Sequence, residues 1–285
     1  MILRQAPTMP DIKIIALDLD GTLLNSKKEL SPGNFAALQR AAAAGIEVVP
    51  TTGRFFDAMP KQIRDLPFVN YAITINGAQV YDIHKDKAVA TAEMPWEQAV
   101  EIMTFLDPLP VLYDCYMNNE AFMSERYFPL IDDLAPNEHY RKMLHELRQP
   151  VEELKDLLKQ RKQGVQKIQF FTKDQALRQE MLDTLEQRFE NLAVSSSVEN
   201  NVEINNCHAQ KGNAIAQLAA YLGCTIENCM ACGDGLNDIS MIREAGLGVV
   251  MENGHPSVKA LADYIAPDCD SDGVAEAIYR FCPEI

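Results

Sequence analysis

Short apolar runs that end in polar, glycine-bearing steps recur near both ends of this chain. Residues 12–19 (IKIIALDL) are rich in Ile and Leu and predict a fully buried strand of the parallel kind, with Asp18-Leu19-Asp20-Gly21-Thr22 at its carboxyl end. Ser31-Pro32 offers an N-cap and a first-turn proline, so a helix is expected to about Ala44, where Gly45 stops it. Residues 46–50 predict a second buried strand ending in Thr51-Thr52-Gly53-Arg54. A short helix to about Leu66 follows, then a third strand over 71–75, ending in Asn76-Gly77. Strand–helix–strand–helix–strand argues for a doubly wound parallel sheet.

The rhythm changes after about residue 84. Helices are expected over 95–106, 137–147, 151–159 and 174–189, and short strands over 111–117, 121–124 and 192–196. Residues 165–171 alternate before a final apolar pair, as a half-exposed antiparallel strand does. The α/β rhythm returns after about residue 200. A helix over 211–222 carries Ile215, Leu218, Ala219 and Leu222 on one face. A buried strand over 228–232 runs into Gly233-Asp234-Gly235-Leu236-Asn237-Asp238. A helix to Ala245, a strand over 247–251 and helices near 256–262 and 273–281 complete the chain. The expected organisation is an α/β core made of residues 1–84 and 200–285, with an α+β cap domain inserted at 85–199.

Length and charge narrow the function. A chain of 285 residues leans towards two domains and buries enough surface to need no disulfide staples. Acidic residues number 41 against 26 basic, a net charge of −15, and such a surface repels nucleic acid and anionic membranes. Neither is expected as a partner; a small anionic substrate remains open if one pocket is locally positive or holds a metal. No apolar run approaches the ~18 residues of a membrane span. Residues 1–10 lack the charged start and apolar core of a signal peptide. Seven cysteines, an odd number, suit reduced thiols and a cytoplasmic setting. Cys229 and Cys232 lie in a predicted strand, where a spacing of three puts them on opposite faces. They read as buried apolar thiols, not as a redox or zinc pair.

In open parallel sheets ligands bind beyond the carboxyl ends of the strands. Asp18 and Asp234 are far apart in sequence, yet each ends a predicted buried strand. Asp20, Thr52, Asp238 and, at a helix start, Lys211 fall in or near the same zone. At ~5 Å and an effective dielectric of about 20, each pair of carboxylates costs roughly 3 kcal/mol. A hard dication bound by oxygens removes that cost, and Mg²⁺ suits few protein ligands plus water and phosphate. A cation at a helix N-terminus opposes the dipole, so Lys211 asks for something negative beside it. A phosphate between metal and Lys211 answers both demands.

Four ordered motifs carry a resemblance: Asp18-Leu19-Asp20-Gly21-Thr22-Leu23, Thr52-Gly53-Arg54, Lys211-Gly212 and Gly233-Asp234-Gly235-Leu236-Asn237-Asp238. Together they resemble the haloacid dehalogenase superfamily. Asn76-Gly77-Ala78 and the central insert are similar to its Cof-type phosphatases, the subclass IIB members with a large α/β cap. The first and fourth motifs are specific; the other two alone would be weak. The resemblance implies a Rossmann-like core and Mg²⁺-dependent hydrolysis of small phosphomonoesters, sugar phosphates or similar metabolites. It implies Asp18 as nucleophile, forming an aspartyl-phosphate, and Asp20 as general acid and base. It further implies Thr52 and Lys211 at the phosphate, Asn237 at the phosphate or at Lys211, and Gly53, Arg54 and Asn76 on the substrate side. The metal falls to Asp18, the Asp20 backbone carbonyl and Asp234, with Asp238 orienting metal-bound water or Lys211.

Blander readings stand beside these. Asp234 and Asp238 suit a helix first turn, and Asn76-Gly77 suits a plain turn. Gly233-Asp234-Gly235 begins like a dinucleotide fingerprint, but the sixth position is Asp238 and the carboxylates would repel a pyrophosphate. Tyr113, Tyr116, Phe122, Tyr127 and Phe128 of the insert read as core. A sugar phosphomutase is the nearest rival function, and a non-catalytic phospho-receiver or binding protein the rival of another class. Asp20 and the insert argue against a receiver.

Overall fold

A computed structural model describes residues 11–284. The reading of residues 1–10 as free of a signal peptide lies outside them. The chain runs β1 (Ile14–Leu17), α1 (Pro32–Ala43), β2 (Glu47–Pro50), α2 (Lys61–Arg64), β3 (Tyr71–Thr74), β4 (Gln79–Asp82) and β5 (Lys87–Thr91). It continues through α3 (Trp96–Leu106), β6 (Leu112–Met117), β7 (Glu120–Ser124), α4 (Ile131–Leu134), α5 (Glu138–Leu147), β8 (Gln149–Val151), α6 (Leu154–Arg161), β9 (Lys167–Phe171), α7 (Gln175–Arg188), β10 (Leu192–Ser195) and β11 (Asn201–Asn206). It closes with α8 (Lys211–Tyr221), β12 (Cys229–Gly233), α9 (Ile239–Glu244), β13 (Leu247–Met251), α10 (Pro256–Lys259), β14 (Tyr264–Ala266) and α11 (Gly273–Phe281).

The first sheet is parallel, in the order β14-β13-β12-β1-β2. From β1 the chain moves to one side, through β2, and returns on the other side at β12. The reversal of strand order therefore falls between β1 and β12, where open sheets place ligands. Successive residues of β1 feed opposite layers, as pleating requires. Ile15 and Leu17 pack with Leu38, Val274 and Ile278 of α1 and α11, whereas Ile14 and Ala16 pack with Ile215, Leu218 and Met241 of α8 and α9. Cys229 and Cys232 separate in the same way, one into each layer. Among the described residues all seven cysteines are free thiols. Ser31 caps α1 by accepting a 3.0 Å hydrogen bond from the Asn34 amide, with Pro32 in the first turn.

The third expected strand, β3, touches β2 through a parallel bridge between Thr51 and Ile73. It then pairs antiparallel with β4, and β4 with β5, a hairpin that the sequence reading passed over. This hairpin extends beyond residue 84 yet packs on α8.

The second sheet runs β10-β11-β9-β6-β7-β8 and is antiparallel except for β7 beside β8. It forms the cap. It includes β11 and so runs on to Asn206, past residue 200. One face carries Ile168, Phe170, Val202 and Ile204 against Ile102, Leu158 and Leu185 of α3, α6 and α7. The expectation of a half-exposed strand over 165–171 is corrected: every residue of β9 is buried. Of its polar side chains, Lys167 reaches Gly53 O of the parallel-sheet layer at 3.3 Å, and Gln169 donates to Asp114 within the cap sheet at 3.0 Å. Asp114, Asn201, Glu203 and Asn205 are buried as well. Tyr113, Phe122 and Tyr127 are core residues of the cap, with Phe128 packed against them. Tyr116 packs across to Phe55 of the parallel-sheet layer. Among the described residues no helix is long and apolar enough to cross a membrane.

Candidate active site

The site begins where β1 stops. The Asp18 amide donates to Cys232 O at 2.9 Å, which sets the ends of β1 and β12 side by side. The chain then turns back at once, with Leu23 N on Asp18 O and Leu24 N on Leu19 O. Gly21 takes φ +93°, and a Cβ there would stand 2.6 Å from Asp234 Oδ2. Only glycine lets the Asp234 carboxylate settle onto this turn. Thr22 completes the docking by donating its hydroxyl to Asp234 Oδ1 at 2.8 Å.

After β12 the chain folds over Asp238. Its Oδ2 accepts from the amides of Asp234 at 2.9 Å and Gly235 at 2.8 Å. Its Oδ1 accepts from Lys211 Nζ at 2.6 Å, and the same ammonium reaches Asp18 Oδ1 at 2.5 Å. Lys211, the first residue of α8, is wholly buried. Asp18 and Asp238 supply the negative charge that a buried cation at a helix N-terminus needs. One carboxylate oxygen from each of Asp18, Asp234 and Asp238 lies within 4.8 Å of the others.

Burial pushes the Asp18 carboxyl up to about 8, with Asp238 and Asp234 adding repulsion that Lys211 only partly offsets. Burial likewise raises Asp234 to about 6. Lys211 moves upward despite its burial, because Asp18 and Asp238 hold the proton on it. Asp20 goes the other way. Burial alone would raise it, but Arg54 and Lys28 hold it below the ordinary carboxylate range. Arg54 reaches it through Nε at 3.1 Å and Nη2 at 2.9 Å, and Lys28 Nζ at 3.0 Å.

The remaining expected residues form a second tier. Thr52 is buried, and its hydroxyl oxygen accepts from the Arg54 amide at 3.2 Å. Ile75, Asn76 and Gly77 take φ of +54°, +58° and +97° in succession. A β-branched residue in this region stores roughly 1–3 kcal/mol of strain. The turn is held against the start of α8: a Cβ on Gly77 would fall 2.4 Å from Gln210 O. Asn76 donates to Glu203 Oε2 at 2.9 Å, and its own Oδ1 accepts from Asn237 at 3.4 Å. Asn237, expected at the phosphate or at Lys211, thus meets Asn76.

Sequence reasoning passed over Thr22, Lys28, Lys167 and Glu203. Thr22 stands inside the first motif, and its short hydroxyl beside a glycine was a usable signal. In β11, Asn201, Glu203 and Asn205 alternate with Val202 and Ile204, a two-faced strand whose polar face had to meet something.

The donors fit a hard dication. Among the described residues no hydrogen bond reaches Asp18 Oδ2 or Asp234 Oδ2, whereas both oxygens of Asp238 are engaged. Two open carboxylate oxygens in a repelling cluster suit a divalent cation with oxygen preference.

The family of haloacid dehalogenase-like hydrolases matches residues 15–278. The 5-amino-6-(5-phospho-D-ribitylamino)uracil phosphatase YcsE of Bacillus subtilis is 33% identical over 269 residues, covering 94% of this chain and 95% of that protein. The pyridoxal phosphate phosphatase YbhA of Escherichia coli is 30% identical over 269 residues, covering 94% and 97%. A haloacid dehalogenase-like hydrolase from Bacteroides thetaiotaomicron superposes with a TM-score of 0.79 at 28% identity, over 94% of this chain and 99% of that one. This chain belongs to the haloacid dehalogenase-like hydrolases and, within them, to the Cof-type phosphatases, enzymes that hydrolyse phosphate monoesters.

Proposed function

We propose that this phosphatase is Mg²⁺-dependent and removes phosphate from small, polar metabolites, sugar phosphates among them, through an aspartyl-phosphate on Asp18. The carrying observation is the junction of β1 and β12, where the Asp18 carboxylate stands between buried Lys211 and Asp234. Asp18 and Asp234 would hold the metal; when bound it neutralises negative charge on the carboxylates and on the phosphoryl oxygens.

An oxygen of Asp18 attacks phosphorus in line. The bond from phosphorus to the ester oxygen breaks, and that oxygen takes its proton from Asp20. Asp20, now ionised, removes a proton from water as the water attacks phosphorus. The acyl-phosphate bond breaks, and free phosphate leaves with the Asp18 carboxylate restored. Lys211 stays protonated between Asp18 and Asp238 and steadies the nucleophile. Thr52 offers a hydroxyl to the phosphoryl oxygens. Arg54 favours ionised Asp20, which suits its role as base; an incoming phosphoryl group competes for the guanidinium and frees Asp20 to carry a proton.

The buried polar face of the cap sheet supports a small polar leaving group, as do the substrates in the names of the two relatives. Hydrolysis of p-nitrophenyl phosphate with Mg²⁺, followed by a panel of phosphorylated metabolites ranked by kcat/KM, tests the reading. Absence of phosphate release from every panel member would refute it.

A further inference from the structure

Three successive carbonyls beside the phosphoryl site are each held by a donor. Thr52 O accepts from Asn76 N at 3.0 Å and Arg54 O from Ile75 N at 2.9 Å, both within the parallel-sheet layer. The middle one, Gly53 O, accepts from Lys167 Nζ at 3.3 Å, and Lys167 belongs to the cap. Lys167 is 2% exposed, its ammonium lies 3.5 Å from Glu203 Oε1 and 4.6 Å from the centroid of the Tyr116 ring. Glu203 in turn accepts from Ser197, Asn201 and Asn76. A buried ion pair is tolerated only when its remaining donors and acceptors are engaged, and these are.

We propose that Lys167 is a positioning residue of the active site: directly at Gly53, and through Glu203 at Asn76, it clamps the Thr52–Gly53–Arg54 segment from the cap side. The inference rests on the phosphatase reading above. Thr52 and Arg54 flank the clamped carbonyl, so a shift at Gly53 moves both the phosphate-side hydroxyl and the partner of Asp20. Two further contacts grip the same stretch: Phe56 N donates to Asn119 Oδ1 at 2.9 Å, and the Phe55 and Tyr116 rings meet edge to face at 5.4 Å. The seated cap is therefore part of the catalytic framework. Misplacement of a positioned group by about 1 Å can cost on the order of 100-fold in rate.

The test compares Lys167→Met and Lys167→Arg with the wild-type chain in Mg²⁺, using p-nitrophenyl phosphate and the best sugar phosphate of a panel. The expected result is a fall in kcat of about tenfold or more in Lys167→Met, by a similar factor on both substrates, with KM changed less than about threefold. Lys167→Arg, still able to donate to Gly53 O, recovers part of the loss. An unchanged kcat overturns the inference. So does a loss confined to KM of the sugar phosphate, which would make Lys167 a leaving-group contact. Should Lys167→Met fail to fold, Glu203→Gln carries the same test, because it removes the charge that holds Lys167 while keeping its shape. A wild-type chain that turns over neither probe refutes the phosphatase reading itself; turnover by wild type with undiminished kcat in the variants refutes the clamp alone.

Discussion

The Arg54 guanidinium holds one oxygen of Asp20 through two nitrogens, Nε at 3.1 Å and Nη2 at 2.9 Å from Oδ2. With Lys28 on the other oxygen, these cations outweigh burial and keep the Asp20 carboxyl below its ordinary range. A depressed carboxyl stabilises the fold above its unfolded pKa, near about 4, and that contribution is lost as pH falls through the folded value. Wild type should therefore exceed Arg54→Ala in thermal stability at neutral pH, and the gap should shrink in acid. It should not close fully, because Arg54 Nη1 also donates to Ala58 O at 3.3 Å whatever the pH. Unfolding curves of both proteins from neutral pH downward decide this; a gap independent of pH would remove Asp20 as its cause.

Asp18 carries the opposite sign. Its folded pKa of about 8 lies above the unfolded one, so its stabilising contribution is complete in acid and disappears as pH climbs to about 8. Asp18→Asn removes the buried charge while keeping the shape. The variant should lose turnover by a factor of about 10⁴ or more, as removal of a covalent nucleophile does. Yet without metal at about pH 8 it should melt no lower than wild type. A variant that is both inactive and markedly less stable would mean that Asp18 is a structural anchor of the β1–β12 junction.

Much of this was legible in advance, and the reason is periodicity. Buried parallel strands announce themselves as apolar runs, and Asp18 and Asp234 end two of them that pair in register, Leu17 beside Cys232. Lys211 was visible because a cation at a helix start needs an explanation. The cap's contribution was not legible. Lys167 and Glu203 stand at polar positions of alternating strands, and alternation says which residues share a face without saying what covers it. Here the parallel-sheet core covers that face, so Lys167, in a strand that read as half-exposed, and Glu203, in a strand that the sequence did not announce, form a buried clamp. The β4–β5 hairpin escaped for a related reason: Lys87–Thr91 is mostly exposed and carries little apolar signal.

Gly21 offers a separate test of the first motif. A side chain at φ +93° is strained, and its Cβ would press to 2.6 Å from Asp234 Oδ2. Gly21→Ala should therefore destabilise the chain by roughly 1–3 kcal/mol and displace Asp234. Turnover should fall and the Mg²⁺ concentration needed for half-maximal rate should rise, with Asp18 untouched. Equal metal requirement in variant and wild type would argue that Asp234 does not hold the ion.

Arg148 is buried beneath the polar face of the cap sheet, with Nε 2.6 Å from Asp114 Oδ2 and Nη2 2.8 Å from the Tyr116 hydroxyl. Its removal leaves the Asp114 charge buried without a cationic partner, a loss of roughly 3–5 kcal/mol. Arg148→Met should lower the denaturant midpoint accordingly, whereas Arg148→Met combined with Asp114→Asn should recover much of it. If the double variant is as weak as the single one, the loss comes from packing against Phe55 and Tyr116 instead.

The metal requirement can be read without any substrate. Asp18 and Asp234 retain protons up to about pH 8 and about pH 6, so a cation that uses both must displace protons through most of that range. Affinity should rise with pH, by up to about tenfold per unit for each proton displaced, and level off above the higher value. A ligand that binds only the folded chain raises its melting temperature in proportion to the logarithm of its occupancy term. Millimolar Mg²⁺ should therefore raise the melting temperature distinctly at about pH 8 and little at about pH 5. The Asp234→Asn variant should show a small shift at both. The same increment at both pH values would mean that the ion does not compete with these protons, and no increment at either would remove Mg²⁺ from the site.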